Sequence, residues 1–271
     1  MALFQISLFS EALRRETMVS VVLPDVKAKN PKQKIYEIRE KFPTLYLLHG
    51  AGGNHLDWIR YTDAECLANE YQTALVMPAM DLGFYTDMYM GCKYFTYISE
   101  ELPAYLQRVF PLSEKSEDCF LAGLSMGGYG AMKVAMTYPE RFEAVASMSG
   151  VLDVAGLMKN RKLTEEIELD NVLTWCFGTE EIADNEINSL EKLMRKNIAE
   201  KKELPRIYQC VGTEDFLYDI NQNFYHAAEK MGISVCYEEG QGMHEWGYWR
   251  QQLPIVFAWM FGAKRNEKSR L

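Results

Sequence analysis

Residues 119–135 read CFLAGLSMGGYGAMKVA. The run Cys119–Leu124 is short, apolar and continuous, as expected of a strand covered on both faces. From Gly128 to Tyr138 the chain is rich in Ala and Met and reads as a helix. Between the two lies Gly123-Leu124-Ser125-Met126-Gly127, a G-x-S-x-G pattern in the strand–turn–helix context that makes it a nucleophile elbow. A sharp turn of this kind holds the serine in a strained conformation and projects its hydroxyl above the sheet. The residues two before and two after must be almost without side chains, because strand and helix crowd together there. With 18 glycines in 271 residues, the coincidence of both glycines with this context is not expected by chance.

Working outward, similar apolar runs recur at Met18–Leu23, Thr44–His49, Ala74–Met77, Ala144–Met148, Ile207–Val211 and Ser234–Tyr237. Helical patterns separate them at Ile98–Phe110, with Ser99 as the expected N-cap, at Ile187–Glu200, at Ile220–Met231 ending on Gly232, and at Trp246–Phe261. Strands alternating with helices predict a mostly parallel α/β sheet in a single domain spanning 1–271. The charge-rich stretch 151–204 contains no convincing strand. It reads as an excursion between two sheet strands, either a cap-like insertion over a site or a set of solvated surface helices.

Composition narrows the function. Hydrophobic residues make up 48% and charged residues 25%, typical of globular proteins, which excludes disordered and fibrous classes. The 29 Lys and Arg against 38 Asp and Glu leave a net charge of −9. That disfavours nucleic acid and anionic membrane surfaces as partners. No apolar stretch reaches the length of a membrane span, and the N-terminal residues do not read as a signal peptide. Six cysteines lie far apart without a CxxC pair and are expected to be reduced. The expectation is a cytoplasmic enzyme.

A serine hydroxyl needs a general base, nearly always histidine, and in this fold the order is serine, acid, histidine. Only His226 and His244 follow Ser125. His226 falls inside a predicted helix, whereas His244, in GQGMHEWGYW, follows the last predicted strand, where ligand sites of open α/β sheets form. The orienting carboxylate should follow Ile207–Val211, in Gly212-Thr213-Glu214-Asp215-Phe216. On local physics Asp215 is preferred and Glu214 remains an alternative, with Asp219 weaker. Acyl transfer also needs backbone N–H groups aimed at the developing oxyanion. Met126, after the nucleophile, supplies one; the glycine-rich loop His49-Gly50-Ala51-Gly52-Gly53-Asn54 supplies the other, with Ala51 ahead of Gly52. His49 precedes the serine and is read as structural.

Taken together, LYLLHGAGGNHLDW, MDLGFYTDMYMGCKYFTYISEELP, AGLSMGGYGAMKVA, GTEDFLY and GMHEWGYW resemble the esterase D-like branch of the α/β-hydrolases, and more narrowly bacterial tributyrin, acetyl and feruloyl esterases. The resemblance runs from about Leu45 to Trp249. It implies an eight-stranded, mostly parallel sheet with helices on both faces, a Ser125–His244–Asp215 triad, oxyanion amides at Ala51 and Met126, and no metal or organic cofactor. It implies short-chain acyl esters as substrates, acetyl or cinnamoyl esters of plant polysaccharide among them. The loop AGGNH lacks the cysteine that related S-formylglutathione hydrolases carry there, which weakens a thioester reading. Acyl transfer to a sugar and a non-catalytic binding role are the remaining alternatives. The expected partner is a small-molecule or oligosaccharide ester, with self-association left open. Trp58, Tyr85 and Trp246 are the expected substrate-binding aromatics, with packing in the core as the alternative for each.

Overall fold

The computed structural model describes residues 1–26, 34 and 40–268, with side chains to residue 262. Eight strands form one sheet: β1 (Ala2–Ser10), β2 (Arg15–Leu23), β3 (Thr44–Leu48), β4 (Ala74–Pro78), β5 (Cys119–Leu124), β6 (Ala144–Met148), β7 (Arg206–Gly212) and β8 (Val235–Gly240). Their spatial order is β1-β2-β4-β3-β5-β6-β7-β8. The pairings β1–β2 and β2–β4 are antiparallel, and the rest are parallel. This is the α/β-hydrolase sheet, with β3, β5 and β6 at its centre.

The central strands are apolar on both sides because each side meets a different helical layer. Along β3, Tyr46 and Leu48 join the core beneath the helices Leu102–Val109 and Met126–Thr137, while Leu45 and Leu47 face Ala64–Tyr71 and the C-terminal helix Trp246–Lys268. In the register of β5, Leu121 follows Tyr46 and Ala122 follows Leu47 to opposite faces. Burial on both faces is the physical reason the sequence shows continuous runs rather than alternation.

One strand is added to those legible in the sequence, and two local expectations are corrected. The N-terminal residues form β1, closed onto β2 by the turn at 11–14; its irregular pattern of polar and apolar residues carries no clear strand signal, and its partner supplies the order. Ser99 caps nothing: the helical path already begins at Tyr94, passes through a π-helical turn at Tyr97–Glu101, and leaves Ser99 buried with its hydroxyl donating to the Phe95 carbonyl at 2.7 Å. The last helix runs on to Lys268 with Pro254 inside it.

The excursion 151–204 is a succession of five helices: Val154–Lys159, Arg161–Glu166, Asp170–Phe177, Glu180–Ala183 and Leu190–Ala199. Their apolar sides, through Leu157, Leu173, Phe177 and Met194, belong to the same core as the helix after Ser125. The seam contains a buried cation. Lys133 has no exposed surface, and its ammonium donates to Thr86 Oγ1 and Asn188 Oδ1, both at 2.8 Å, beneath the rings of Phe95 and Tyr129. Burial lowers its pKa to about 7. One side chain thereby ties the 83–90 loop and the excursion to the helix that carries the elbow.

At the end of β3, His49 acts as a buckle. Its Nδ1–H donates to the Gly50 carbonyl at 2.7 Å, Nε2 accepts the Met80 amide at 2.9 Å, and Tyr85 donates its hydroxyl to the His49 carbonyl at 2.9 Å. Burial pushes the imidazole pKa down to about 4. Between that value and the ordinary ~6.5, the unfolded chain binds a proton that the folded one refuses, so this residue's contribution to stability is lost as pH falls through the window. Denaturant titrations should therefore show the stability advantage of the wild type over His49→Asn shrinking from pH 6.5 towards pH 4. A constant difference across that range would count against the buried neutral imidazole.

Candidate active site

Ser125 stands between β5 and the helix Met126–Thr137 with φ 53° and ψ −120°. The glycines around it are required by contact. A Cβ on Gly123 would lie 2.2 Å from the Gly127 carbonyl oxygen, and one on Gly127 would lie 2.4 Å from that of Leu48. The elbow is also pinned to the neighbouring strand: the Ser125 amide donates to the Met148 carbonyl at 2.9 Å, and the Ser125 carbonyl accepts from Val151 at 3.2 Å.

The chain ends of β7 and β8 bring the other two groups. His244 Nε2 is 2.9 Å from Ser125 Oγ. Its Nδ1 lies 2.9 Å from Asp215 Oδ2 and 3.0 Å from Oδ1. A carboxylate can only accept, so Nδ1 carries the proton and Nε2 is left to accept from the serine hydroxyl. The Asp215 side chain is fully enclosed and its Oδ1 also accepts the Leu217 amide at 2.8 Å; the imidazole retains 15% exposure. Three residues far apart in the chain thus form one hydrogen-bonded line. His226, by contrast, lies on a helix surface against Glu229.

Glu214, the alternative acid, does something else. Its Oε2 accepts the Gly242 amide at 2.7 Å, while its own amide donates to the Gly242 carbonyl at 3.0 Å. A Cβ on Gly212 would meet that same carbonyl oxygen at 2.2 Å, so the loop after β8 is packed hard against the end of β7. The loop that carries His244 is therefore clamped rather than free. Phe216 and Trp249 flank the imidazole, with ring centroids 4.4 Å and 4.9 Å away, and the Trp249 indole N–H donates to Ser149 Oγ at 3.1 Å.

The two amides expected at the oxyanion belong to segments that meet at the serine. Met126 opens a helix, where the first N–H groups have no intrahelical acceptor and the dipole favours negative charge. Ala51 lies in the turn closed by Gly53 N–H to the Gly50 carbonyl at 3.2 Å, with Gly52 at φ 75°. This turn abuts the elbow: a Cβ on Gly50 would come within 3.3 Å of Ser125 Cβ.

The aromatic expectations divide. Trp58 and Tyr85 have no exposed surface, so they support the site from behind and do not wall a substrate cleft, a correction that follows from their burial. Trp246 is partly exposed and stacks edge-on with Trp58 and Trp249. The exposed apolar groups nearest the relay in sequence are Phe216 and Met243, beside Asp215 and His244. Sequence reasoning passed over both, although their adjacency to the two residues was a usable signal. It also passed over Lys133, a lone cation in an otherwise apolar helix.

Comparison with known proteins identifies the family. The Esterase family model matches residues 10–260. The chain is 32% identical over 267 residues to the acetyl esterase of Caldicellulosiruptor saccharolyticus, covering 96% of this chain and 98% of that protein. Among solved structures, the substrate-bound fluorophosphonate-binding serine hydrolase F of Staphylococcus aureus superposes with a TM-score of 0.85 at 30% identity, over 96% of this chain and 98% of that one. The S-formylglutathione hydrolase FrmB of the same organism superposes with a TM-score of 0.78 at 31% identity and the same coverage. With the elbow, the sheet order and these likenesses in agreement, the chain belongs to the Esterase family and is a carboxylic ester hydrolase of the α/β-hydrolase fold.

Proposed function

We propose that the chain is a serine carboxylesterase for short acyl groups, acetyl foremost, acting through Ser125, His244 and Asp215. The observation that carries this reading is the 2.9 Å contact between His244 Nε2 and Ser125 Oγ, with the other ring nitrogen held by an enclosed carboxylate. The likeness to an acetyl esterase supports the acyl group.

In acylation, Ser125 Oγ attacks the ester carbonyl carbon while Nε2 takes its proton. The oxyanion accepts hydrogen bonds from the Ala51 and Met126 amides. The C–O bond to the alcohol breaks, and the imidazolium returns the proton to the leaving oxygen. In deacylation, a water gives its proton to Nε2 and its oxygen to the acyl carbon, the bond to Oγ breaks, and the acid departs. Asp215 holds the tautomer and stabilises the imidazolium. Phe216 and Met243 flank the site as the apolar surface for a small acyl group, and the excursion 151–204, which leaves the sheet at Val151 beside Ser125, forms a cap-like side wall. Six free thiols support a cytoplasmic location.

A second reading, hydrolysis of an acyl thioester, rests on the likeness to FrmB. Steady-state rates on S-acyl glutathione and on the matching oxygen ester separate the two.

Among p-nitrophenyl esters of rising chain length, kcat/KM is expected to peak at two to four carbons, about tenfold or more above long chains; a peak at long chains would overturn the short-acyl reading. A fluorophosphonate probe should label the wild type on the peptide carrying Ser125 and leave Ser125→Ala unlabelled, with kcat down about a million-fold. Asp215→Asn should lower kcat by about 10,000-fold. Glu214→Ala tests the loop clamp: we expect kcat to fall about tenfold to a hundredfold with KM little changed, and Glu214→Gln to recover part of the loss. If Glu214→Ala were to match Asp215→Asn, the assignment of the acid would be reversed.

A further inference from the structure

Ser125 is not the only serine bent into the left-handed region at this site. Ser149, directly after β6, stands at φ 49° with no exposed surface. Glycine would hold that backbone without strain, and the next residue in the chain is one, Gly150. Strained side chains of this kind persist where their surroundings hold them, and they gather at functional sites. Here the hydroxyl accepts the indole N–H of Trp249 at 3.1 Å.

The stretch 148–151 is tied to every part of the site. The Met148 carbonyl and the Val151 amide hold the two ends of Ser125, at 2.9 Å and 3.2 Å. The Ser149 amide donates to the Cys210 carbonyl of β7 at 2.7 Å, and the Gly150 carbonyl accepts from Asn221 at 3.0 Å. The Ser149 hydroxyl extends these ties to the base. Trp249 is buried in the first turn of the C-terminal helix and meets the His244 imidazole at 89°, ring centroids 4.9 Å apart. An indole has one polar atom, so a single hydrogen bond selects its rotamer. Phe216, the other ring against the imidazole, is exposed and has no polar atom by which to be fixed.

We infer that Ser149 is a positioning residue: through the indole of Trp249 it fixes the surface against which His244 rests, and so locks the base to the segment that holds the nucleophile's backbone. The inference rests on the Ser125–His244 relay proposed above. Without the hydroxyl the indole is free to turn, the imidazole loses its fixed flank, and proton transfer slows.

The test compares wild type, Ser149→Gly, Trp249→Phe and the double variant. The readouts are kcat and KM on p-nitrophenyl acetate, the rate of fluorophosphonate labelling, and the melting temperature. Ser149→Gly should lower kcat and the labelling rate together, by about tenfold to a hundredfold, with KM within about twofold of wild type. In the Trp249→Phe background the same substitution should change neither rate, because the bond is already gone. It should also leave the melting temperature no lower there, because backbone strain is released and no indole N–H is left unpaired. A merely structural role would lower the melting temperature of Ser149→Gly and leave kcat of the folded enzyme unchanged, which would overturn the inference. An equal loss of kcat in both backgrounds would overturn it too, since the serine would then act without the indole. Ser125→Ala separates the two levels. If it keeps its turnover, the relay itself falls. If it is inactive while Ser149→Gly runs at the wild-type rate, the positioning role alone falls.

Discussion

The architecture of the active site depends on the backbone turn at Ser125. A non-glycine residue held at positive φ with ψ −120° costs about 1–3 kcal/mol, and it persists only where the surroundings leave no alternative. Here they do so by close packing. Carbonyl oxygens stand where side chains on Gly123 and Gly127 would have to be, and hydrogen bonds tie the elbow to Met148 at the end of β6 and to Val151 just beyond it. The strain points the hydroxyl out of the sheet and places the first amide of the following helix beside it.

The rest of the site is arranged to meet that hydroxyl. β7 delivers Asp215 into a fully enclosed position, where a carboxylate persists because it accepts hydrogen bonds from His244 and from the Leu217 amide. β8 delivers His244 on a loop whose position is held by Glu214 from the neighbouring strand end. Such bracing keeps the imidazole within hydrogen-bond reach of the serine hydroxyl, the geometric condition that any general base must meet. Around this centre, two buried groups hold the supporting loops: His49 secures the turn bearing Ala51, and Lys133 secures the 83–90 loop and the excursion. Each is a titratable group that the core keeps in a single arrangement, and neither touches the reacting atoms.

Much of this was legible in the linear order of residues. Seven of the eight strands announce themselves as apolar runs, most plainly β3 to β6, where both faces of the sheet are covered. The one that does not, β1, is an edge strand whose order comes from its antiparallel partner. The helix leading into Leu102–Val109 starts earlier than its sequence indicates, because Ser99 has the chemistry of a cap but sits a turn inside the helical path, where its hydroxyl bonds backward. Trp58 and Tyr85 carried the signature of a binding wall and turned out to be packing, since an aromatic residue near a site reads the same in sequence whether its face is covered or open.

By itself, the order of residues determined the elbow, which serine and which histidine the fold would bring together, and the class of fold, because each rests on local rules: a turn that tolerates only glycine, a fixed chain order of chemical groups, a burial pattern written into each strand. Tertiary structure alone decided the division of labour between Glu214 and Asp215, two neighbouring acids of similar chemistry. Which one faces the imidazole depends on the direction in which the backbone leaves β7 and on the loop packed against it from β8, and those are contacts between segments about thirty residues apart that no local pattern records.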